Sequence, residues 1–250
     1  MAGKPNDCVT YRHRATVDTG HMQEVEVAAA RPVLSFKPRR GRMTSGQRRA
    51  VDTLWTPYGV EVVEVLLEPA TVFGRVAPLV LEIGFGMGEA TAAMAAADPA
   101  RDVLAVDVHT PGAGALLQRV DDDGITNVRV ALGDAVDVLT SMISSGSLDE
   151  IRVFFPDPWP KSKHYKRRLV RKQFVALAVD RLRVGGRLHL ATDWVSYADQ
   201  MLTVVTEEPL LRNDFDGFAP RPSHRPVTRF ESIGLGRGHK IYDVIATRRM

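Results

Sequence analysis

The stretch Leu81-Glu82-Ile83-Gly84-Phe85-Gly86-Met87-Gly88 decides the fold. An apolar run with one acid meets three glycines at alternate positions, so a strand turns tightly into a helix through backbone that a ligand can approach closely. Outward from it, short apolar runs alternate with helical patterns. Strands are expected over residues 79–83, 103–108, 128–132, 151–155 and 187–191, and helices over 89–97, 114–120, 136–143 and 168–182, with Gly185-Gly186 ending the last helix. That alternation predicts an α/β fold, a doubly wound, Rossmann-like and mostly parallel sheet whose ligands bind at the carboxyl ends of the strands. A helix over 195–207 and an alternating tail over 240–247 complete a seven-stranded sheet with an antiparallel edge strand. Upstream, Thr44 or Ser45 caps a short helix over 48–55 ahead of Pro57.

The 250 residues are 44% hydrophobic and 25% charged, enough for one globular domain with an extension, and contain no run resembling a membrane span. A net charge of +3 conceals strong segregation. Residues 1–49 carry 10 basic and 4 acidic side chains, 51–160 carry 5 and 17, 161–172 carry 7 and none, and 221–250 carry 7 and 2. Positive charge set in blocks around an acidic core suits a protein that meets a polyanion at chosen places. The single cysteine, Cys8, cannot form an internal disulfide and the start lacks an apolar signal core, so a cytoplasmic protein is expected. Residues 1–43 read as a basic, flexible arm and 44–250 as the folded domain.

The glycine spacing argues against a dinucleotide, whose fingerprint places its third glycine where Glu89 stands. Glu82, at the strand end, suits the cationic amino acid part of S-adenosylmethionine and would repel a phosphate. Asp107 ends the second strand, where an acid binds ribose hydroxyls. Asp134 follows the third, placed to accept from an adenine amino group while Ala135 leaves room for the ring. Each acid alone also reads as a helix cap or turn residue. Their shared register across three successive strand ends points to one ligand. With Gly84, Gly86 and Gly88, these residues form the expected cofactor site, and no metal ligands are assigned.

After the fourth strand comes Pro156-Asp157-Pro158-Trp159-Pro160, in which two prolines restrict the backbone around Asp157. A carboxylate fixed there suits methyl transfer to a ring nitrogen, where the lone pair already lies in plane and catalysis is mostly positioning and exclusion of water. Trp159 reads either as a stacking wall for a base or as a buried plug. The following block, with Lys161, Lys163, His164, Tyr165, Lys166, Arg167 and Arg168, suits RNA phosphates, although such a run is often only a solvated face. Asp193 ends the fifth strand, and Thr228, Arg229, Phe230 and Glu231 crowd mixed donors and acceptors into one loop. Glu231 also reads as a surface partner of Arg229.

Together these segments resemble the bacterial tRNA (guanine-N7-)-methyltransferases over roughly residues 44–250. The glycine loop is generic to methyltransferases; Val108-His109-Thr110-Pro111-Gly112, residues 156–168, Ala191-Thr192-Asp193-Trp194 and Thr228-Arg229-Phe230-Glu231 are specific. The resemblance implies a class I methyltransferase that uses S-adenosylmethionine to modify a guanosine in the tRNA variable loop, with tRNA as partner; no membrane association is expected and no obligate protein partner is inferred. It also implies that Glu82, Asp107, Asp134 and Asp157 contact the cofactor, Asp157 being catalytic as well. Lys161, Asp193 and residues 228–231 would hold the target nucleotide, and residues 163–168 would track tRNA. Asp107 stands where the family usually has glutamate. From the residues alone, a methyltransferase acting on another nitrogen and a catalytically inert RNA-binding module of the same fold remain alternatives. The basic arm lies outside the shared pattern and is expected to add affinity without altering site choice. Deleting residues 1–40 should raise the dissociation constant for tRNA and flatten its dependence on salt, and unchanged binding across a salt series would refute that role.

Overall fold

The computed structural model describes residues 35, 36, 41–236 and 238–250, with backbone alone at Arg229 and Phe230. Most of the expected arm thus lies outside the described residues. The elements run α1 (Ser45–Tyr58), β1 (Gly59–Val60), α2 (Pro69–Phe73), β2 (Leu79–Ile83), α3 (Glu89–Ala97), β3 (Asp102–Asp107), α4 (Thr110–Asp122), β4 (Val128–Leu132), α5 (Ala135–Ser141), β5 (Leu148–Phe154), a 3-10 helix (Ser162–Arg167), α6 (Lys172–Arg181), β6 (Leu182–Thr192), α7 (Val195–Thr206), β7 (Leu211–Asn213), α8 (Arg229–Gly236) and β8 (Tyr242–Arg248).

The strands form one sheet in the order β1-β4-β3-β2-β5-β6-β8-β7. The first six pair in parallel, and β8 runs antiparallel to both β6 and β7. Strand order reverses between β2 and β5, which opens a crevice at their carboxyl ends. Every residue of β2 is buried, as a central parallel strand covered on both faces requires. Its alternation divides the core: Leu79, Leu81 and Ile83 join the cluster of Val153, Leu188 and Tyr197, whereas Val80 joins Leu116, Leu117 and Val130 on the other face.

Thr44 caps α1 as expected, within a full capping box: its hydroxyl accepts from Gln47 N at 3.2 Å, and Gln47 Oε1 accepts from Thr44 N at 2.9 Å. Several expectations shift. The sheet has eight strands because the short β1 and β7 add to it, and the antiparallel strand lies one place in from the edge. Gly185 and Gly186 do not end the helix; they lie within β6, where Gly185 has φ +79° and pairing with β5 slips between Leu148 and Glu150. The helix expected from 168 starts at Lys172, after the 3-10 turn.

Beneath the end of β5 lies a buried ionic cluster. Arg152 grips Glu150 with two bonds of 2.9 and 3.1 Å, and Arg101 adds a third. Burial opposes the charge on Glu150, but Arg152 and then Arg101 outweigh it and bring its carboxyl from 4.5 to about 2. The folded-state value is depressed, so this stabilisation is complete above pH 4.5 and is lost as pH falls through about 2. The shift corresponds to about 3 kcal/mol. Glu150→Gln should therefore lower the unfolding free energy at pH 7 by about that much, with the gap to wild type closing between pH 4.5 and 2. Urea titrations across that window check this; a gap independent of pH would disprove it.

Candidate active site

A cavity of about 340 Å³ opens at the carboxyl ends of β2, β3, β4 and β5. Gly84 and Gly86 line it with φ of +82° and +60°, and a Cβ on either would meet nothing within 4 Å, so the bare loop backbone borders open space. Gly88 does not line it; it packs against Leu116 where α3 begins. Asp107 and Asp134 both reach the cavity, as does Ala135. Asp107 also braces the loop, accepting from Gly86 N at 2.9 Å and from His109 N at 3.0 Å. Asp134 caps α5 through Val136 N at 2.9 Å, and burial raises its carboxyl above the usual range.

Glu82 is placed differently from the sequence expectation. It is 3% exposed and lies behind the loop, outside the cavity wall, where Oε1 accepts from the Thr91 hydroxyl at 2.8 Å. Its Oε2 has no hydrogen-bond partner among the described residues, and burial pushes the carboxyl up.

The turn after β5 puts Asp157, with Pro156 and Pro158, in the cavity wall. Its flanks are strained: Phe155 has φ +51° and Trp159 φ +44°, left-handed values that cost a bulky residue about 1–3 kcal/mol each. Trp159 is the buried plug and not a base contact. It is 4% exposed and donates from Nε1 to the Ser35 carbonyl at 3.0 Å. Ser35 and Phe36 themselves line the cavity, so the arm is not separable from the site at these two positions.

The basic block divides by the three-residue period of its 3-10 helix, in which residues i and i+3 eclipse. Lys163 and Lys166 face solvent, as does Lys161 ahead of them. His164 and Arg167 both turn to Trp159, the imidazole edge-on at 5.9 Å and the guanidinium over the ring at 4.4 Å. Tyr165 and Arg168 meet each other at 3.6 Å. Arg168 is wholly buried, which corrects its assignment to tRNA: no phosphate can reach it.

A second correction concerns residues 228–231. Thr228 and Glu231 cap α8 reciprocally, with Glu231 N donating to the Thr228 hydroxyl at 3.1 Å and Thr228 N to Glu231 Oε2 at 3.4 Å. Glu231 is 1% exposed and paired with the fully buried Arg225 at 2.6 Å, and Arg225 also grips Asp243. Direct contact of Glu231 with a base is thus excluded; what it positions is α8, whose Ile233 and Gly234 line the cavity. The side chains of Arg229 and Phe230 lie outside the described residues. Asp193 does reach the cavity and accepts from His239 Nδ1 at 3.0 Å. Both residues also line a neighbouring open groove with Tyr165, Trp194, Lys240 and Tyr242.

Glu150, His189 and His224 bring potential metal-ligand atoms within 4.8 Å of one another. The two guanidiniums already on Glu150 would repel a cation there.

Comparison with known proteins accords with this geometry. A family described as putative methyltransferase matches residues 76–244. The tRNA (guanine-N(7)-)-methyltransferase of Streptomyces avermitilis is 52% identical over 220 residues, 87% of this chain and 76% of that protein. Its counterpart in Nitrosospira multiformis is 51% identical over 225 residues, covering 90% and 98%. The chain belongs to the tRNA (guanine-N7-)-methyltransferase family. Among solved structures, the 30S ribosomal A1408 methyltransferase from an uncultured bacterium overlays with a TM-score of 0.51 at 12% identity, over 73% of this chain and 94% of that one, a likeness of fold.

Sequence reasoning missed His239, Phe36 and Lys240 in this member of the tRNA (guanine-N7-)-methyltransferases. His239 carries no spacing signal, since its partner Asp193 is 46 residues away. The Ser35-Phe36 pair offered a faint one, an aromatic isolated in an otherwise basic stretch.

Proposed function

We propose that the cavity holds S-adenosylmethionine and that the adjoining groove admits the guanosine of the tRNA variable loop. The chain is a tRNA (guanine-N7-)-methyltransferase and uses that cofactor. The observation that carries the division of the site is that cavity and groove share Asp193 and His239, so ligands in the two would meet beside one carboxylate. The residues present fit the cofactor. The loop at Gly84 and Gly86 offers backbone to open space, and Asp107 and Asp134 each retain lone pairs beyond the backbone bonds they accept. In this reading Asp107 takes the ribose hydroxyls, Asp134 the adenine amine with Ala135 under the ring, and Glu82 supports the loop from behind through its bond to Thr91.

When bound, S-adenosylmethionine supplies an electrophilic methyl group carried on a sulfonium. Guanine N7 already presents its lone pair, so no side chain has to remove a proton before transfer. The work of the chain is to aim that lone pair, keep water out and offset the positive charge that the base acquires. Asp157 and Asp193 do the last by proximity, in a site walled by Phe154, Phe155 and Ile233. Lys161, Lys163 and Lys166, all exposed, take the phosphates around the presented nucleotide.

Incubating bulk tRNA with labelled methyl donor and digesting it to nucleosides should yield 7-methylguanosine mapping to the variable loop. Label at another nucleoside or another loop would overturn the reading. Asp157→Ala should reduce kcat at least 100-fold, roughly the loss expected when a charge-stabilising group is removed. Asp107→Ala should chiefly raise the cofactor dissociation constant measured by calorimetry. Equal effects of both variants on both parameters would show that the roles are divided wrongly.

A further inference from the structure

Arg168 carries a positive charge inside the protein with no carboxylate beside it among the described residues. Its partners are neutral. Nε donates to the Pro158 carbonyl at 2.9 Å, Nη1 to the Ser196 carbonyl at 3.0 Å and to Gln200 Oε1 at 2.8 Å, and Nη2 to the Ser196 hydroxyl at 2.9 Å. The guanidinium also lies 3.6 Å from the Tyr165 ring centre and 4.7 Å from that of Tyr197. Burying a charge is costly unless its donors are satisfied, and here four oriented acceptors and two aromatic faces offset the loss of water. A charge kept at that cost calls for a purpose that a neutral side chain does not serve.

The placement of the acceptors supplies one. Pro158 follows Asp157 directly, and Ser196 lies three residues after Asp193. One rigid fork therefore bridges the turn after β5 and the start of α7 after β6. The neighbouring bonds reinforce the same seam, since Val170 N donates to the Tyr197 hydroxyl at 2.9 Å, and Gln200 Nε2 donates to the Val170 carbonyl at 2.8 Å. Left-handed backbone at Phe155 and Trp159 persists only when the surroundings over-determine it, and the bond to the Pro158 carbonyl lies between those two residues.

We propose that Arg168 is a positioning residue that fixes Asp157 relative to Asp193 and contributes nothing to tRNA affinity. The inference rests on the roles given to those two acids above. Lysine keeps the charge but presents a single nitrogen on a flexible stem, so it cannot hold Pro158, Ser196 and Gln200 at once.

The test uses the full chain with Arg168→Lys, assayed well below its melting temperature. kcat should fall on the order of 100-fold, the cost of misplacing reacting groups by about an ångström. The dissociation constants for tRNA and S-adenosylmethionine should stay within about two-fold, and the salt dependence of tRNA binding should keep its slope. Lys166→Ala is the contrast, flattening that slope. Adding Arg168→Lys to Asp157→Ala should cost little more than Asp157→Ala alone, because both act through one group, whereas general loss of structure would add to it. Preserved kcat in Arg168→Lys, or weakened tRNA binding with a shallower salt slope, overturns the proposal. If that variant does not fold, Gln200→Leu leaves the guanidinium and removes one acceptor. A fall in kcat of several-fold with both dissociation constants unchanged then supports the proposal, and a wild-type kcat overturns it. Should Asp157→Ala and Asp193→Ala both leave kcat unaltered, the site reading itself fails, whatever Arg168 does.

Discussion

The candidate active site depends on a short turn held where a polypeptide does not rest by itself. Between Phe155 and Trp159 the chain enters and leaves left-handed backbone at two bulky residues, with prolines on both sides of Asp157. The prolines remove alternatives but do not choose this conformation; contacts around the turn do. Trp159 is sunk beneath it and tied to the Ser35 carbonyl, and the Pro158 carbonyl is held by Arg168. Below, β5 is anchored by the Glu150, Arg152 and Arg101 cluster. A carboxylate mounted in this way loses little freedom when a substrate arrives, which is the condition under which positioning contributes most to rate.

A second theme is how much charge lies inside. Arg225 joins Glu231 on α8 to Asp243 on β8, and Asp243 meets His189 on β6 at 2.7 Å. Burial opposes the charge on Asp243, but hydrogen bonds from His189 and Arg225 hold its carboxyl below the usual range. Single ion pairs of this kind are poor sources of stability, yet they specify geometry, because a buried charge tolerates few arrangements. Here the arrangement specified is the approach of α8 to the cavity rim.

Much of the fold was legible because its periods are simple. β2, β4 and α3 occupy the bounds their patterns predict, and two of the three strand-end acids, Asp107 and Asp134, reach one cavity, whereas Glu82 sits behind the loop. What escaped notice were local hydrogen bonds that compete with ligand readings. Thr228 and Glu231 look like contacts for a base, but threonine followed three residues later by glutamate is also the signature of a helix start. The run from Lys161 counts charges without their directions, and its three-residue period turns Arg167 and Arg168 inward while leaving Lys163 and Lys166 outside. Gly185-Gly186 reads as a helix end, yet in a strand the same pair serves a bulge. Short edge strands such as β1 and β7 carry too few residues to show any period.

The reciprocal cap on α8 carries a warning for mutational mapping. An alanine scan scored by activity would flag Glu231 as strongly as any group that touches guanine, because its loss takes one of two carboxylates from the buried Arg225 guanidinium and frees the helix bordering the pocket. Sensitivity at that position reports the integrity of a hidden scaffold. Only a readout that separates folding from ligand recognition can assign it a role.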